Sequence, residues 1–169
     1  MTSDESLMLE FQRGSREAFD ELFARYRQSL YGYFRRRLSD RERAEDLTQD
    51  AFLAVIRATE RYQPRALVRT YLYGIAIKLL SAERRKLARA DVPGEPDREN
   101  RSDETLWVRE ALERLEPTER EILMLREYEQ LSYAEIADLM RLPLNTVKTR
   151  LFRSRMALKG YLEPAREEA

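Results

Sequence analysis

The sequence predicts an all-α protein built as two small helical domains joined by an acidic, flexible linker. Three observations predict it. Ala, Leu, Glu and Arg dominate the 169 residues, and only five Gly and six Pro interrupt them, a composition of helix formers. Apolar residues recur at steps of three and four in one segment after another. Between residues 91 and 104 that pattern stops. DVPGEPDRENRSDE holds two Pro, one Gly, six acids and no large apolar side chain except Val92, too little apolar surface to offset the entropy of ordering. The expected organisation is a first domain over 1–90, a linker over 91–105, a second domain over 106–163 and a tail over 164–169.

The elements follow in order. Phe19, Leu22, Phe23, Tyr26, Leu30, Phe34 and Leu38 predict a helix over 15–38, with Ser15 able to cap it. Its last turn, Arg35, Arg36 and Arg37, suits the negative end of the helix dipole. Ala44, Leu47, Ala51, Val55 and Ala58 give the core stripe of a second helix over 41–61. Glu42, Glu45, Asp46, Gln49 and Asp50 gather on another of its faces, which by pattern alone reads as solvated. Pro64 disfavours helix at Gln63 and marks a break. A third helix starts near Arg69, with Leu72, Ile75, Ala76 and Leu79 inward and Tyr71, Gly74, Lys78, Ser81 and Arg85 opposite. Arg84, Arg85, Lys86 and Arg89 make its end basic. That aromatic and cationic face fits single-stranded nucleic acid, where bases stack and the backbone needs cations, and fits a solvated helix equally well.

The second domain is read from four short helices. The first runs from about Leu106 to Leu115, with Val108, Ala111, Leu112 and Leu115 inward and Trp107 expected against that core. Thr118 with Glu121, and Ser132 with Glu135, have capping-box spacing and predict two more helix starts. The last helix follows Pro143, expected in its first turn. Two short helices, a tight turn and a basic second helix describe a helix-turn-helix.

The net charge is zero, from 31 basic and 31 acidic residues, yet it is unevenly placed. Residues 1–90 carry +5, residues 91–140 carry −9, and residues 141–159 hold six bases and no acid. Such asymmetry points to separate surfaces for separate partners. The chain has no Cys, which removes disulfides, thiolate metal sites and Cys nucleophiles, and no His, the commonest general base and metal ligand. It carries no phosphate-loop, dinucleotide or serine-hydrolase motif. No enzyme, no cofactor and no metal are expected. The N-terminus MTSDESLMLE lacks the basic and apolar order of a signal peptide, and no apolar run would cross a membrane, so a cytoplasmic protein is expected.

On the last helix, Val147, Leu151, Ser154 and Leu158 share a side that can bury against Ile136, Ala137 and Met140. Asn145, Lys148, Thr149, Phe152 and Arg153 share the other. That outer set supplies donors for base edges, an apolar contact for thymine methyl and cations for phosphate, as a helix in the major groove requires. Arg150, Arg155 and Lys159 flank it and can hold the DNA backbone. An acid-free run of nineteen residues in so acidic a chain weighs against a merely solvated basic face.

The whole chain resembles the extracytoplasmic-function (ECF) group of the sigma-70 family of bacterial RNA polymerase sigma factors. AEDLTQDAFL (Ala44–Leu53) is similar to the family's region 2.2 motif and RTYLYGIAIKLL (Arg69–Leu80) to its region 2.3–2.4 motif. The segment from Leu115 to Lys159 resembles region 4 nearly throughout. The resemblance implies a monomeric transcription initiation factor. Glu45, Asp46, Gln49, Asp50 and Phe52 would dock on the clamp helices of the polymerase beta-prime subunit. Gln63, Arg65, Arg69, Tyr71, Lys78 and Arg85 would grip the flipped, non-template strand of the minus-ten element. Asn145, Lys148, Thr149, Arg150, Phe152, Arg153 and Arg155 would read the minus-thirty-five element. An anti-sigma protein is an implied partner. The chain departs from the family at Tyr71, Lys78 and Ala82, where Trp, Asn and Asp are usual, in the loop from Gln63 to Val68, and at Arg141 and Asn145, where glycines are common. A stand-alone helix-turn-helix regulator, or a sigma-like decoy that binds polymerase without initiating, are the rival readings.

Overall fold

The computed structural model describes residues 1–90 and 103–163, and divides the chain into two units, Met1–Asp97 and Arg98–Ala169. Most of the linker expected over 91–105, and the tail over 164–169, lie outside the described residues. Among those described there are eight α-helices, one 3-10 turn and no strand.

The first unit holds α1 (Asp4–Gln12), α2 (Arg16–Arg37), α3 (Arg41–Ala58), a 3-10 turn (Thr59–Arg61) and α4 (Val68–Ala90). Each of the first three starts on a side-chain cap that satisfies an otherwise orphaned backbone donor. Ser3 accepts from the Ser6 amide, Ser15 from the Ala18 amide, and Asp40 from those of Glu42 and Arg43. Gly14, at φ +101°, takes the left-handed turn between α1 and α2. The expected second helix therefore ends at Ala58, with 59–61 continuing as a 3-10 turn.

The sequence reading contained no helix before residue 15, yet α1 is structural. Leu7 and Met8 are buried with Ala18, Leu22, Val55, Tyr62, Val68 and Leu72, and Phe11, Tyr26, Tyr71 and Ile75 pack against them. Arg25 of α2 ties down the start of α1 through Asp4 at 2.7 Å and the Thr2 carbonyl at 2.8 Å, and the Tyr26 hydroxyl also donates to Asp4. An aromatic cluster joins three helices: Phe23 and Phe52 lie 4.7 Å apart by ring centroid, Phe11 and Phe19 5.0 Å. Arg43 of α3 and Glu83 of α4 form a two-pronged ion pair, Nε to Oε1 at 2.8 Å and Nη2 to Oε2 at 2.6 Å. Its geometry holds the start of α3 against the later turns of α4.

The second unit holds α5 (Asp103–Glu113), α6 (Pro117–Glu127), α7 (Tyr133–Met140) and α8 (Leu144–Leu162), with α8 packed on the other three. Arg120 of α6 donates to the carbonyls of Leu112, Glu113 and Leu115 and so closes the end of α5. Three expectations need correction here. Trp107 is 37% exposed. It stands one residue, about 100° of helix, away from the inward stripe of Val108, Ala111, Leu112 and Leu115, and so flanks it. The start of α6 carries no box on Thr118. Pro117, with its φ preset and no amide to satisfy, takes the first position, and Glu116 caps by accepting from the Glu119 amide. Pro143 is the residue before α8 and not part of its first turn. The Ser132–Glu135 box is present with both of its bonds.

Candidate nucleic-acid and polymerase interfaces

The helix-turn-helix is α7, a turn at 141–143 and α8. The turn is tight because Arg141 adopts the left-handed conformation, φ 54°, and the Leu142 amide then reaches the Ala137 carbonyl at 3.0 Å. Ile136, Ala137, Val147, Leu151 and Ser154 are buried, as the spacing predicted. The Ser154 hydroxyl lies 2.6 Å from the Arg150 carbonyl and 3.1 Å from that of Glu119, which fixes the rotation of α8 on α6.

That rotation leaves Asn145, Lys148, Thr149, Phe152 and Arg153 all exposed on one side, Phe152 by 67%. The Thr149 hydroxyl donates to the Asn145 carbonyl at 2.9 Å. Its proton is committed, so toward a base it offers lone pairs and a methyl group. Arg150 is half-buried and its charge helps to hold the Glu116 carboxyl below its ordinary range, behind the stronger effect of the Thr118 and Glu119 amides. Arg155 is exposed but paired with Glu127 of α6, its Nη2 2.6 Å and its Nε 3.1 Å from one carboxylate oxygen. Of the seven residues expected to read the minus-thirty-five element, five are open, Arg155 is held by Glu127 and Arg150 is half-buried.

In the first unit, Glu45, Asp46, Gln49 and Asp50 are all exposed along α3. Glu45 and Gln49 edge a groove of about 810 Å³ whose other wall is Arg27, Gln28 and Tyr31 of α2. Phe52 does not join them. It is 5% exposed and packs between Phe19 and Phe23. The apolar side chains that α3 does present are Leu53, 46% exposed, and Ile56. Sequence reasoning missed both. Their signal was present, since both are large apolar residues off the stripe of Ala51 and Val55, Ile56 by one residue and Leu53 by two.

Gln63, Pro64, Arg65, Ala66 and Leu67 form an exposed arch between the 3-10 turn and α4. Its ends rest on buried Tyr62 and Val68. Tyr71 is half-buried beside that arch, its ring 5.4 Å from Tyr62 and edge-on to it. Its hydroxyl is buried with no hydrogen-bond partner, and burial raises its pKa. Tyr71 therefore meets the protein on one side and is only partly open to a base. Arg69 is also half-buried, while Lys78 and Arg85 are exposed. Tyr71, Lys78 and Arg85 are spaced by sevens, two turns each, so they share a face and sample about 21 Å of it. That is a track and not one pocket. Among the described residues no group of three or more acidic side chains could hold a metal, and no helix is long and apolar enough to cross a membrane.

Comparison with known proteins decides what these surfaces belong to. The family model for Sigma-70 region 2 matches residues 22–90, and that for Sigma-70 region 4 matches residues 105–158. The chain belongs to the sigma-70 family. The RNA polymerase sigma-H factor of Pseudomonas aeruginosa is 33% identical over 98% of this chain and 97% of that protein. The ECF RNA polymerase sigma-E factor of Escherichia coli K12 is 30% identical over 96% and 95%. Two solved structures share the fold: CnrH in complex with the cytosolic domain of CnrY, TM-score 0.75 at 24% identity over 96% of this chain and 99% of that one, and RpoE in complex with the anti-sigma factor NepR from Bartonella quintana, TM-score 0.70 at 22% over 86% and 96%. This sigma factor of the ECF group thus carries most of α2, with α3 and α4, within its region 2 match, and most of α5, with α6, α7 and most of α8, within its region 4 match. Helix α1 precedes both.

Proposed function

We propose that this sigma factor binds core polymerase through α3, engages the minus-ten strand through the 63–67 arch and α4, and reads the minus-thirty-five duplex with α8. The observation that carries the reading is the outer side of α8. Its buried side fixes its rotation, and its open side is cationic, polar and aromatic with no acid along 141–159. The domains at 1–90 and 106–163 act as separate readers of the two elements. Asn145 and Lys148 meet base edges, Phe152 and the Thr149 methyl meet thymine, and Arg153 holds phosphate, with Arg150 and Arg155 as flanking phosphate contacts.

On α3 the polar contact with the beta-prime clamp helices is assigned to Glu45, Asp46, Gln49 and Asp50. The apolar contact passes from Phe52 to Leu53 and Ile56, and Phe52 supports the face from behind. In the arch, Gln63 and Arg65 face the displaced strand, and Arg69, Lys78 and Arg85 line the path of its backbone, with the open edge of Tyr71 as a stacking surface. The protein acts as a single copy, in the cytoplasm where polymerase is found, and does no chemistry of its own. Since CnrH and RpoE were solved with CnrY and NepR bound, an anti-sigma protein is the regulator we assign to it.

The test is capture of core polymerase by the purified protein, followed by run-off transcription from genomic fragments. Binding with specific transcripts is expected, and the transcripts give the promoter. Tight duplex binding without polymerase capture would favour a stand-alone regulator. Capture without transcripts would favour a decoy.

A further inference from the structure

Helix α1 lies outside the residues that match region 2, yet its side chains hold both ends of the arch. At one end Gln12 donates its Nε2 to the Thr59 carbonyl at 2.6 Å and to the Tyr62 carbonyl at 2.8 Å. At the other, Glu5 Oε1 accepts from the Val68 amide at 3.0 Å. The Val68 amide opens α4 and has no partner within its helix, so a carboxylate from 63 residues earlier in the chain takes the place of a local cap. Glu5 and Gln12 are seven residues apart, two turns, and share one face of α1 at about 10 Å separation. That spacing is built in two places at once. Within the arch, the Tyr62 hydroxyl donates to the Ala66 carbonyl at 3.0 Å. Five exposed residues are thereby suspended between anchors that α1 sets.

We infer that Glu5 and Gln12 are positioning residues for minus-ten recognition, and that α1 preorganises the arch for the displaced strand. The inference rests on the reading of 63–67 as the minus-ten reader. An arch whose ends are free would sample many shapes, and strand binding would then carry the entropy of ordering it. Loss of either anchor flattens discrimination among minus-ten bases and slows opening, and leaves polymerase capture and minus-thirty-five reading in place.

The experiment uses the full chain assembled with core polymerase. The probe is a library of synthetic duplexes with two randomised windows, one at each promoter element. Glu5→Ala and Gln12→Ala are each expected to lower the ratio between best and worst minus-ten bases by tenfold or more, with the minus-thirty-five preference unchanged. Glu5→Gln keeps an oxygen acceptor for the Val68 amide and restores the preference. In hydrogen exchange the Val68 amide opens faster in Glu5→Ala and returns in Glu5→Gln. Gln63→Ala and Arg65→Ala, made in parallel, test the underlying reading. If these tip variants shift the minus-ten preference and the α1 variants do not, the positioning role is wrong and the arch reading stands. If the tip variants shift nothing, the arch reading falls and takes the inference with it. Equal loss at both windows from the α1 variants would also overturn it, since general unfolding would then be the cause. Flattening by only one α1 variant overturns the assignment of the other.

Discussion

Replacing Glu83 with Ala removes one half of the pair that joins α3 to α4. The Glu83 side chain is 6% exposed and its partner Arg43 is 32% exposed, with two bonds at 2.6 and 2.8 Å between them. Removing one member of a fully buried pair costs about 3–5 kcal/mol, and exposed pairs contribute about 0–1. Arg43 can turn its open third to water and keeps Asp46 at 3.1 Å, so the expected loss for the first unit is about 2 kcal/mol, between those limits. For a domain of this size the urea slope is about 1 kcal/mol per molar, and the midpoint should fall by about 2 M. The pair also sets a pH dependence. The Arg43 hydrogen bond is the main cause holding the Glu83 carboxyl below its ordinary value of 4.5. Below that value the unfolded chain takes up the proton first, so the contribution is complete above pH 4.5 and is lost as the pH falls through the lowered folded value. The assay is urea unfolding followed at 222 nm for both units and by Trp107, the chain's one tryptophan, for the second unit. The Trp107 transition should not move. Midpoints for wild type and Glu83→Ala that coincide at pH 7, or a difference that persists undiminished well below pH 4, would refute the reasoning.

Further substitutions probe other elements. Arg141→Gly should raise the stability of the second unit by about 1 kcal/mol, because Arg141 holds a left-handed conformation, φ 54°, that costs a side-chain-bearing residue about that much; the Trp107 urea midpoint reports it. Ser132→Ala removes the side-chain acceptor of the Glu135 amide and leaves the backbone amide of residue 132 bonded to the Glu135 carboxylate, and should lower the same midpoint by about 1 kcal/mol. Lys148→Ala and Arg153→Ala should weaken promoter occupancy by about 1–3 kcal/mol each with unfolding unchanged, and Arg153→Ala should lower the salt slope by about one; unchanged occupancy in both would remove the recognition-helix assignment. Leu53→Ser with Ile56→Ser should weaken polymerase capture at constant helix content, whereas Phe52→Ala should first lower the unfolding midpoint, by about 3 kcal/mol or more.

What the sequence made legible was periodic. Helix α8 and its buried side were readable because Val147, Leu151 and Ser154 recur at four and three, and its cationic character because one exclusion, acid, was complete along 141–159. The Ser132–Glu135 box was readable because capping is local. Where prediction failed, the deciding contact was elsewhere. Thr118 and Glu121 have the right spacing, but Pro117 takes the first helical position and sets the cap two residues earlier, at Glu116. Trp107 looked like core by size, and one step of helix turned it to the flank. Phe52 sits beside exposed acids in sequence and was grouped with them, while rings from α2 enclose it. Helix α1 was missed although Leu7, Met8 and Phe11 have helical spacing behind Ser3. Its acids read as a charged terminus, and neither the partner of Glu5 at Val68 nor those of Gln12 at Thr59 and Tyr62 is a local fact.

The Arg43–Glu83 pair has a consequence at long range as well. Glu83 is the sole acid of α4, which carries six bases. Arg43 is the sole base on α3 between itself and Ile56, a stretch that holds Glu45, Asp46 and Asp50. That stretch of α3 has one base, α4 has one acid, and the two are paired with each other. What remains outward is sorted, negative along residues 45–50 of α3 and positive along α4, so the unit presents opposite potentials on two faces. An approaching polyanion is drawn to one flank and repelled from the other before any contact forms, and the pairing of Arg43 with Glu83 sharpens that contrast by removing one charge of the opposite sign from each flank.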